Sequence, residues 1–129
     1  MQTINIKTGN RDELVDITRE VESAVKSLNI ENGAVLIFCP HTTAGLTINE
    51  NADPDVKNDI IKALNSLDFE KLNFRHAEGN SPSHTKASLM GFSLTVMVIN
   101  GRLVLGTWQG IMFCEFDGPR HRKVYVNKI

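Results

Sequence analysis

Residues 92–126 read FSLTVMVINGRLVLGTWQGIMFCEFDGPRHRKVYV, and this stretch decides the fold. Four runs rich in apolar and β-branched residues lie within it: Phe92–Ile99, Arg102–Leu105, Ile111–Phe116 and Lys123–Val126. Asn100-Gly101 separates the first two runs, and this dipeptide is the strongest short signal for a two-residue β-hairpin turn. Asp117-Gly118-Pro119 is a second turn signal between the last two runs. The pattern predicts four consecutive β-strands at the carboxyl end of the chain.

Three further strands are predicted upstream of this region: Thr3–Lys7, Gly33–Cys39 and Leu46–Asn49. The strands cluster toward the carboxyl end, whereas helical patterns lie earlier in the chain. This order argues for an α+β domain rather than a parallel βαβ fold.

Two segments carry apolar residues three and four positions apart, the spacing of an amphipathic helix. The first covers about Arg11–Leu28, with Asn10 placed to cap it and Glu13 where a capping-box acid belongs. The second covers about Pro54–Leu67, with Asp53 as its N-cap and a proline at its first position. Each predicted helix has one apolar face, and we expect that face to pack on a sheet. Between Phe74 and Ser88 neither period is present, so an irregular loop is predicted there.

The composition restricts the class of protein. The chain has 129 residues, 41% of them hydrophobic and 22% charged, which fits one domain over residues 1–129. Its 14 basic and 15 acidic residues give a formal charge of −1, which provides no overall field to attract nucleic acid. The amino terminus lacks a charged leader followed by an apolar run, and no apolar stretch approaches the roughly 18 residues of a membrane-spanning helix. We expect a cytoplasmic protein that binds neither nucleic acid nor membranes.

The two cysteines lie inside apolar, strand-like runs. Neither Cys39 nor Cys114 belongs to a CxxC motif or a disulfide-dense pattern. This predicts two reduced and buried thiols, with a disulfide between them as the open alternative.

Three of the four histidines fall in polar, irregular sequence. His41 lies in PHTTAG, and His76 and His84 lie in HAEGNSPSH. Neutral imidazole is a good ligand for zinc, and three histidines that leave one position open are a known catalytic arrangement. His76 and His84 are eight positions apart, so their spacing is not that of a helical metal motif. The alternative is that each histidine bonds a neighbouring carbonyl or water.

Further polar candidates lie at predicted strand ends. Thr42 and Thr43 follow a buried strand, where hydroxyls and amides hold an anion or form an ordinary polar turn. Glu50 ends the next predicted strand and is a candidate general base, or else a solvated loop acid. Asp53 already has a structural role as a helix cap.

Two more clusters lie near the carboxyl end. Gly106–Gly110, sequence GTWQG, places Trp108 and an amide between two glycines, which indicates either close packing on a ligand or subunit, or burial of the ring in the core. Arg120–Arg122 is the one compact basic group, suited to a phosphate or to an exposed turn.

Three segments in order, HTTAGLTINENADPDV, HAEGNSPSHTKASLMG and GRLVLGTWQGIMFCEFDGPRHRKVYV, give the chain a strong resemblance to the YjbQ family, also called the secondary thiamine-phosphate synthase family. The likeness runs from about residue 33 to the end. It implies a small two-sheet β-sandwich with two main helices, assembled as a homotrimer, with the polar motif residues in a pocket near the subunit contacts.

The resemblance also implies functional residues. It assigns four positions to catalysis: His41, Glu50, His84 and Gln109. It assigns six to substrate or anion binding: Thr42, Thr43, Asp53, Asn80, Thr107 and Arg120. His41, His76 and His84 are the expected ligands of a divalent metal, either zinc or, if diphosphate chemistry is native, magnesium.

The activity implied by the resemblance is weak thiamine-phosphate synthesis. This reaction joins a pyrimidine diphosphate to a thiazole phosphate and releases pyrophosphate. Diphosphate chemistry more often uses magnesium on carboxylates, whereas three histidines suit zinc-assisted hydrolysis. Two alternatives therefore stay open: a metal-dependent hydrolase of a small phosphorylated or acyl substrate, and a trimeric small-molecule or anion-binding module without catalysis.

Overall fold

The structure is a computed structural model that describes residues 1–129. It contains eight strands: β1 (Gln2–Lys7), β2 (Glu13–Asp16), β3 (Gly33–Phe38), β4 (Ala44–Glu50), β5 (Ser93–Ile99), β6 (Arg102–Leu103), β7 (Gln109–Glu115) and β8 (His121–Lys128). They form a five-stranded sheet in the order β1-β8-β3-β5-β6 and a three-stranded sheet in the order β2-β7-β4. Every pairing is antiparallel. The predicted α+β class with two sheets is confirmed.

The main hydrophobic core joins the two sheets. Val35 and Ile37 of β3 and Phe113 of β7 are all inaccessible to solvent and belong to one apolar cluster. Strand β7 is buried on both faces, because its alternate residues Met112 and Cys114 enter a second cluster beneath the helices. This explains why Ile111–Phe116 is apolar at every position except Glu115 rather than alternating.

Three helices pack on the sheets: α1 (Thr18–Ser27), α2 (Pro54–Asn65) and α3 (Ser81–Met90). Helix α1 places Val21, Ala24 and Val25 in the main core. Helix α2 begins as predicted, because the Asp53 carboxylate accepts a hydrogen bond from the Asp55 amide at 2.9 Å. None of the three helices has the length and apolar character needed to cross a membrane.

The prediction of one helix over Arg11–Leu28 is wrong in its first half. Leu14 and Val15 lie in strand β2 and pair with Cys114 and Phe113 of β7. The Glu13 carboxylate does accept the Asn10 amide, as in a capping box, but the contact closes a turn before a strand. Tertiary pairing with a buried strand outweighs local helix propensity here.

The predicted loop at residues 74–88 is also wrong in part, because α3 begins at Ser81. Its buried face carries Ser83, Lys86 and Ala87, so no apolar stripe marks it. The Ser83 hydroxyl donates to the Phe116 carbonyl at 2.6 Å, and the Lys86 ammonium donates to Asp12 at 3.3 Å. Polar side chains anchor this helix, and a hydrophobic pattern cannot detect them.

The two cysteines are free and buried, as predicted, and no disulfide joins them. Burial raises the pKa of Cys114 to about 12 and also raises the pKa of Cys39. Both thiols are therefore protonated at neutral pH and are poor nucleophiles.

Helix α3 packs closely on β4 at Gly45. A Cβ atom at this position would lie 2.7 Å from the Gly91 carbonyl oxygen and 3.0 Å from the Met90 Cβ. The Leu46 amide donates to the same Gly91 carbonyl at 3.0 Å. The missing side chain thus sets the distance between the helix and the small sheet.

We expect Gly45→Ala to destabilise the fold by about 1–3 kcal/mol, because an added methyl group must displace backbone atoms. Gly9→Ala is the matched control, since its Cβ would meet only the Glu13 carboxylate at 3.8 Å. Urea unfolding measures both, and equal midpoints for the two variants would contradict this account of the packing.

Candidate functional site

A polar cavity of about 330 Å³ opens where the chain crosses between the sheets. The connections β3–β4 and β7–β8 each lead from one sheet to the other, and both contribute to its walls. The start of α3 and the segment before it form a further wall. The lining residues are Pro40, His41, Thr42, Thr43, His76, Glu78, Asn80, His84, Asp117, Arg120 and Arg122. Apart from Pro40, every lining side chain is polar or charged.

His41 is held against the backbone of β8. Its Nε2 atom lies 3.0 Å from the Lys123 amide nitrogen and 3.1 Å from the Lys123 carbonyl oxygen, so it accepts from the amide in one ring tautomer and donates to the carbonyl in the other. Burial lowers the pKa of His41, and the positive charge of Arg122 lowers it further. The imidazole of His41 is therefore neutral at pH 7.

His76 and His84 face each other across the cavity wall. Their ring centroids are 5.3 Å apart and the ring planes are nearly perpendicular, at 87°. His84 lies in the first turns of α3, and His76 lies in the preceding irregular segment. The fold thus brings together two histidines that are eight residues apart in sequence.

The donor set fits a metal only in part. Two imidazoles that share a tetrahedral ion have ring centroids about 5 Å apart, because each metal–nitrogen bond is about 2.0–2.1 Å long. The His76–His84 pair matches this separation. However, the Nε2 atom of His41 is bonded to the Lys123 backbone, and no group of three or more His, Cys, Asp or Glu side chains is arranged to hold an ion.

A buried ion pair supports the cavity from behind. The Arg122 guanidinium donates to the Glu115 carboxylate from Nε at 2.9 Å and from a terminal nitrogen at 2.5 Å. The same terminal nitrogen donates to the Thr43 hydroxyl at 2.8 Å. Because the Thr43 oxygen accepts this bond, its own proton is available to a ligand in the cavity.

The Glu115 carboxylate is saturated with hydrogen bonds. It accepts from the Thr8 hydroxyl at 2.8 Å and from the amides of Phe116 and Asp117 at 3.1 and 3.2 Å. Burial by itself raises the pKa of Glu115, but the hydrogen bonds from Arg122 and Thr8 outweigh it, so the net pKa lies below the ordinary 4.5. The group is ionised at neutral pH.

Asp117 links the other polar wall residues. Its carboxylate accepts from the Arg120 guanidinium at 3.1 Å and from the Asn80 amide nitrogen at 3.0 Å. The Asn80 side-chain oxygen is buried and has no hydrogen-bond partner. Buried polar atoms are normally satisfied, so this acceptor indicates a place for a donor from a ligand or water.

The structure brings seven of the eleven sequence-predicted site residues to this cavity: His41, Thr42, Thr43, His76, Asn80, His84 and Arg120. The other four lie elsewhere. Glu50 and Gln109 are opposite each other where β4 and β7 pair, and the Gln109 side chain accepts from the Gly106 amide at 2.8 Å. Asp53 caps α2, and Thr107 lies in the exposed segment before β7.

Three supporting residues were missed from the sequence: Glu78, Glu115 and Asp117. Arg122 belongs to the basic group Arg120–Arg122 named from the sequence, but its burial against Glu115 was not predicted. A signal existed for this pair. Glu115 is the single charge in an otherwise apolar run, and Arg122 shares the strand face of Val124 and Val126, which are buried. A charge in each of these positions indicates a buried pair.

The fold and cavity together define a small α+β protein with two antiparallel sheets and a histidine-lined polar site between their crossover connections. The family model described as UPF0047 protein YjbQ-like matches residues 2–129. The chain therefore belongs to the YjbQ-like UPF0047 family.

Curated relatives and solved structures agree with this assignment. UPF0047 protein YugU of Bacillus subtilis is 57% identical over 127 residues, covering 98% of this chain and 96% of the relative. A UPF0047 protein of Methanocaldococcus jannaschii is 55% identical, covering 96% and 90%. A YjbQ/UPF0047-family crystal structure from Clostridium acetobutylicum has a TM-score of 0.96 at 52% identity, and a conserved hypothetical protein from Thermus thermophilus has 0.91 at 42%; both comparisons cover 100% of each chain.

We expect Glu115→Gln to cost about 3 kcal/mol or more at pH 7, because it leaves the buried Arg122 charge unpaired. The pKa of Glu115 is lowered in the folded state, so its stabilising contribution is present above pH 4.5 and is lost as the pH falls through the folded-state pKa. The stability difference between wild type and variant should therefore narrow in acid.

Glu70→Gln is the matched control, because the Arg11–Glu70 pair is about half exposed on both sides. Its cost should stay below about 1 kcal/mol. Urea titrations at several pH values measure both variants. If the loss of stability in Glu115→Gln did not change with pH, the assignment of Glu115 as an ionised partner of Arg122 would be contradicted.

Proposed function

We propose that the polar cavity binds the phosphate group of a small phosphorylated metabolite and that the chain is an enzyme acting on it. The observation that carries this proposal is the lining of the cavity, which offers hydroxyl, imidazole, amide and guanidinium groups and, apart from Pro40, no apolar side chain. These groups can replace the hydrogen bonds that water makes to the charged oxygens of a phosphate, whereas an apolar ligand would find few apolar contacts.

The specific reaction we propose is a secondary thiamine-phosphate synthase activity, in which a pyrimidine diphosphate joins a thiazole phosphate and pyrophosphate leaves. The family resemblance supports it, and so does the cavity's complement of anion-binding groups. We also propose that the enzyme works in the cytoplasm as the homotrimer that the resemblance implies.

The residues have distinct roles in this proposal. Arg120, whose side chain is half exposed, donates to the leaving diphosphate, where negative charge develops. Thr42 and Thr43 donate hydroxyl hydrogen bonds to phosphate oxygens. His84 holds the proton that compensates charge on the leaving group. His41, neutral and fixed by the Lys123 backbone, orients the adjacent threonines.

A second candidate is hydrolysis of a small phosphate ester, and the spacing of the His76–His84 pair favours it. These two residues would hold a divalent ion such as zinc. A bound ion of this kind supplies charge neutralisation and lowers the pKa of water. In this reaction water attacks phosphorus, the ester P–O bond breaks, and the leaving alcohol takes up, through solvent, the proton that the attacking water releases.

Substitutions in the cavity test the enzyme proposal. We expect His84→Ala and Arg120→Ala to lower pyrophosphate release from the two thiamine precursors by about 100-fold or more, because each removes a group aimed at the leaving phosphate. Growth rescue of a thiamine-requiring strain should be lost in parallel. His121→Ala is the control, since this histidine is exposed on β8 and lies outside the cavity.

Unchanged rates in His84→Ala and Arg120→Ala would show that the chemistry takes place elsewhere. A further outcome is that wild-type protein binds pyrophosphate, that Arg120→Ala weakens this binding, and that no substrate is converted. The chain would then be an anion-binding module rather than an enzyme.

Elemental analysis of untagged protein tests the hydrolase candidate. We expect about one equivalent of transition metal, lost in His76→Ala and in His84→Ala but retained in His121→Ala. Metal-free wild-type protein that still hydrolyses a phosphate ester would remove the ion from the proposal.

A further inference from the structure

A second cavity adjoins the polar one. It has a volume of about 390 Å³ and is lined by His41, Thr42, Ala44, His84, Ala87, Ser88, Gly91 and Phe92. Three of these residues, His41, Thr42 and His84, also line the polar cavity. The two spaces therefore share one wall, and their remaining walls differ in chemistry. The walls that belong only to the polar cavity carry ionisable groups, whereas the walls that belong only to the second cavity carry alanines, a glycine and an aromatic ring.

Phe92 stands at the edge of this second cavity. Its side chain is 64% exposed. Its ring contacts Phe38 edge-on, with centroids 6.0 Å apart and planes at 73°. The Phe92 carbonyl accepts the Cys39 amide at 2.8 Å, which fixes the backbone beneath the ring. A single exposed aromatic residue is ordinary, but this one is held in place next to an open space bounded by small side chains.

The rest of the second cavity is preformed. Ala44 and Ala87 are buried, and Gly45 allows α3 to lie directly on β4. Small residues on both elements leave a gap between the helix end and Phe92. Since these walls are backbone and short side chains, the gap does not depend on the rotamer of a long residue.

We infer that the second cavity binds an aromatic or heteroaromatic ring of the substrate whose phosphate occupies the polar cavity. This inference rests on the proposed function and adds to it the place where the ring of its substrate binds, the substrate being a phosphate ester or diphosphate attached to a ring through a short linker. The walls of the polar cavity carry imidazole rings but, apart from Pro40, no apolar side chain. Phe92 supplies an apolar aromatic surface, and aromatic rings gain from offset or edge contacts beyond the area that they bury.

The polar groups of the second cavity define the ring further. The Thr42 hydroxyl and the His84 imidazole lie between the ring space and the phosphate space. Ser88 adds a hydroxyl on the α3 side. These groups suit a ring that carries nitrogen or amino substituents, because hydrogen bonds fix the orientation of a ligand in a largely apolar pocket.

Binding of three simple anions tests the inference: inorganic phosphate, methyl phosphate and phenyl phosphate. We expect wild-type protein to bind phenyl phosphate more tightly than methyl phosphate. Phe92→Ala should lower the affinity for phenyl phosphate by about three- to tenfold and leave the affinities for inorganic phosphate and methyl phosphate unchanged. Phe92→Tyr should restore the preference. Met97→Ala is the control, since Met97 is 60% exposed on β5 and lies outside both cavities.

A second variant tests the space itself. Ser88→Leu should place a larger side chain in the second cavity from the α3 side. It should therefore weaken the binding of phenyl phosphate more than the binding of methyl phosphate or inorganic phosphate. The ring site alone would be overturned if wild-type protein bound phenyl phosphate and methyl phosphate with equal affinity. It would also be overturned if Phe92→Ala lowered the affinity for all three anions equally. If inorganic phosphate and methyl phosphate do not bind to wild type at all, the proposed function fails and the ring site fails with it.

Discussion

The pair formed by Glu115 and Arg122 is the interaction on which the rest of the structure depends. Glu115 ends β7 in the three-stranded sheet, and Arg122 lies in β8 of the five-stranded sheet. Both are almost inaccessible to solvent, at 0% and 6%. Removing two charges from water costs several kcal/mol for each ion, so such a pair persists only where further hydrogen bonds satisfy both groups. Here Thr8, Thr43 and two backbone amides do so.

The same pair organises the candidate site. By binding the Asp117 amide, Glu115 holds the turn whose carboxylate orients Arg120 and Asn80. By binding Thr43, Arg122 fixes the other connection between the sheets, and its charge lowers the pKa of His41. An apolar pair of similar volume would stabilise a core about as well. It would not hold two loops in one polar arrangement, and this is what a preorganised site requires.

The sequence predicted most of the regular structure because most of it follows hydrophobic periodicity. The strands around Asn100-Gly101 and helix α2 with its Asp53 cap are examples. The two errors have one cause. Strand β2 exists because Leu14 and Val15 pair with β7, and α3 exists because Ser83 and Lys86 find buried partners. Both depend on residues far away along the chain, and a local window contains no information about them.

By itself, the sequence determined the class of fold, the family and the polar residue types that the site would contain, because these depend on local patterns and motifs. The tertiary structure alone decided which of those residues meet. It brought His76 and His84 to the wall that also holds His41, and it left Glu50 and Gln109 on the β4–β7 pair outside the cavity. It also placed Phe92 and His84 on the walls of one cavity, although no motif connects them. The physical reason is that the crossovers between two sheets set these distances, and spacing along the chain does not encode long-range pairing.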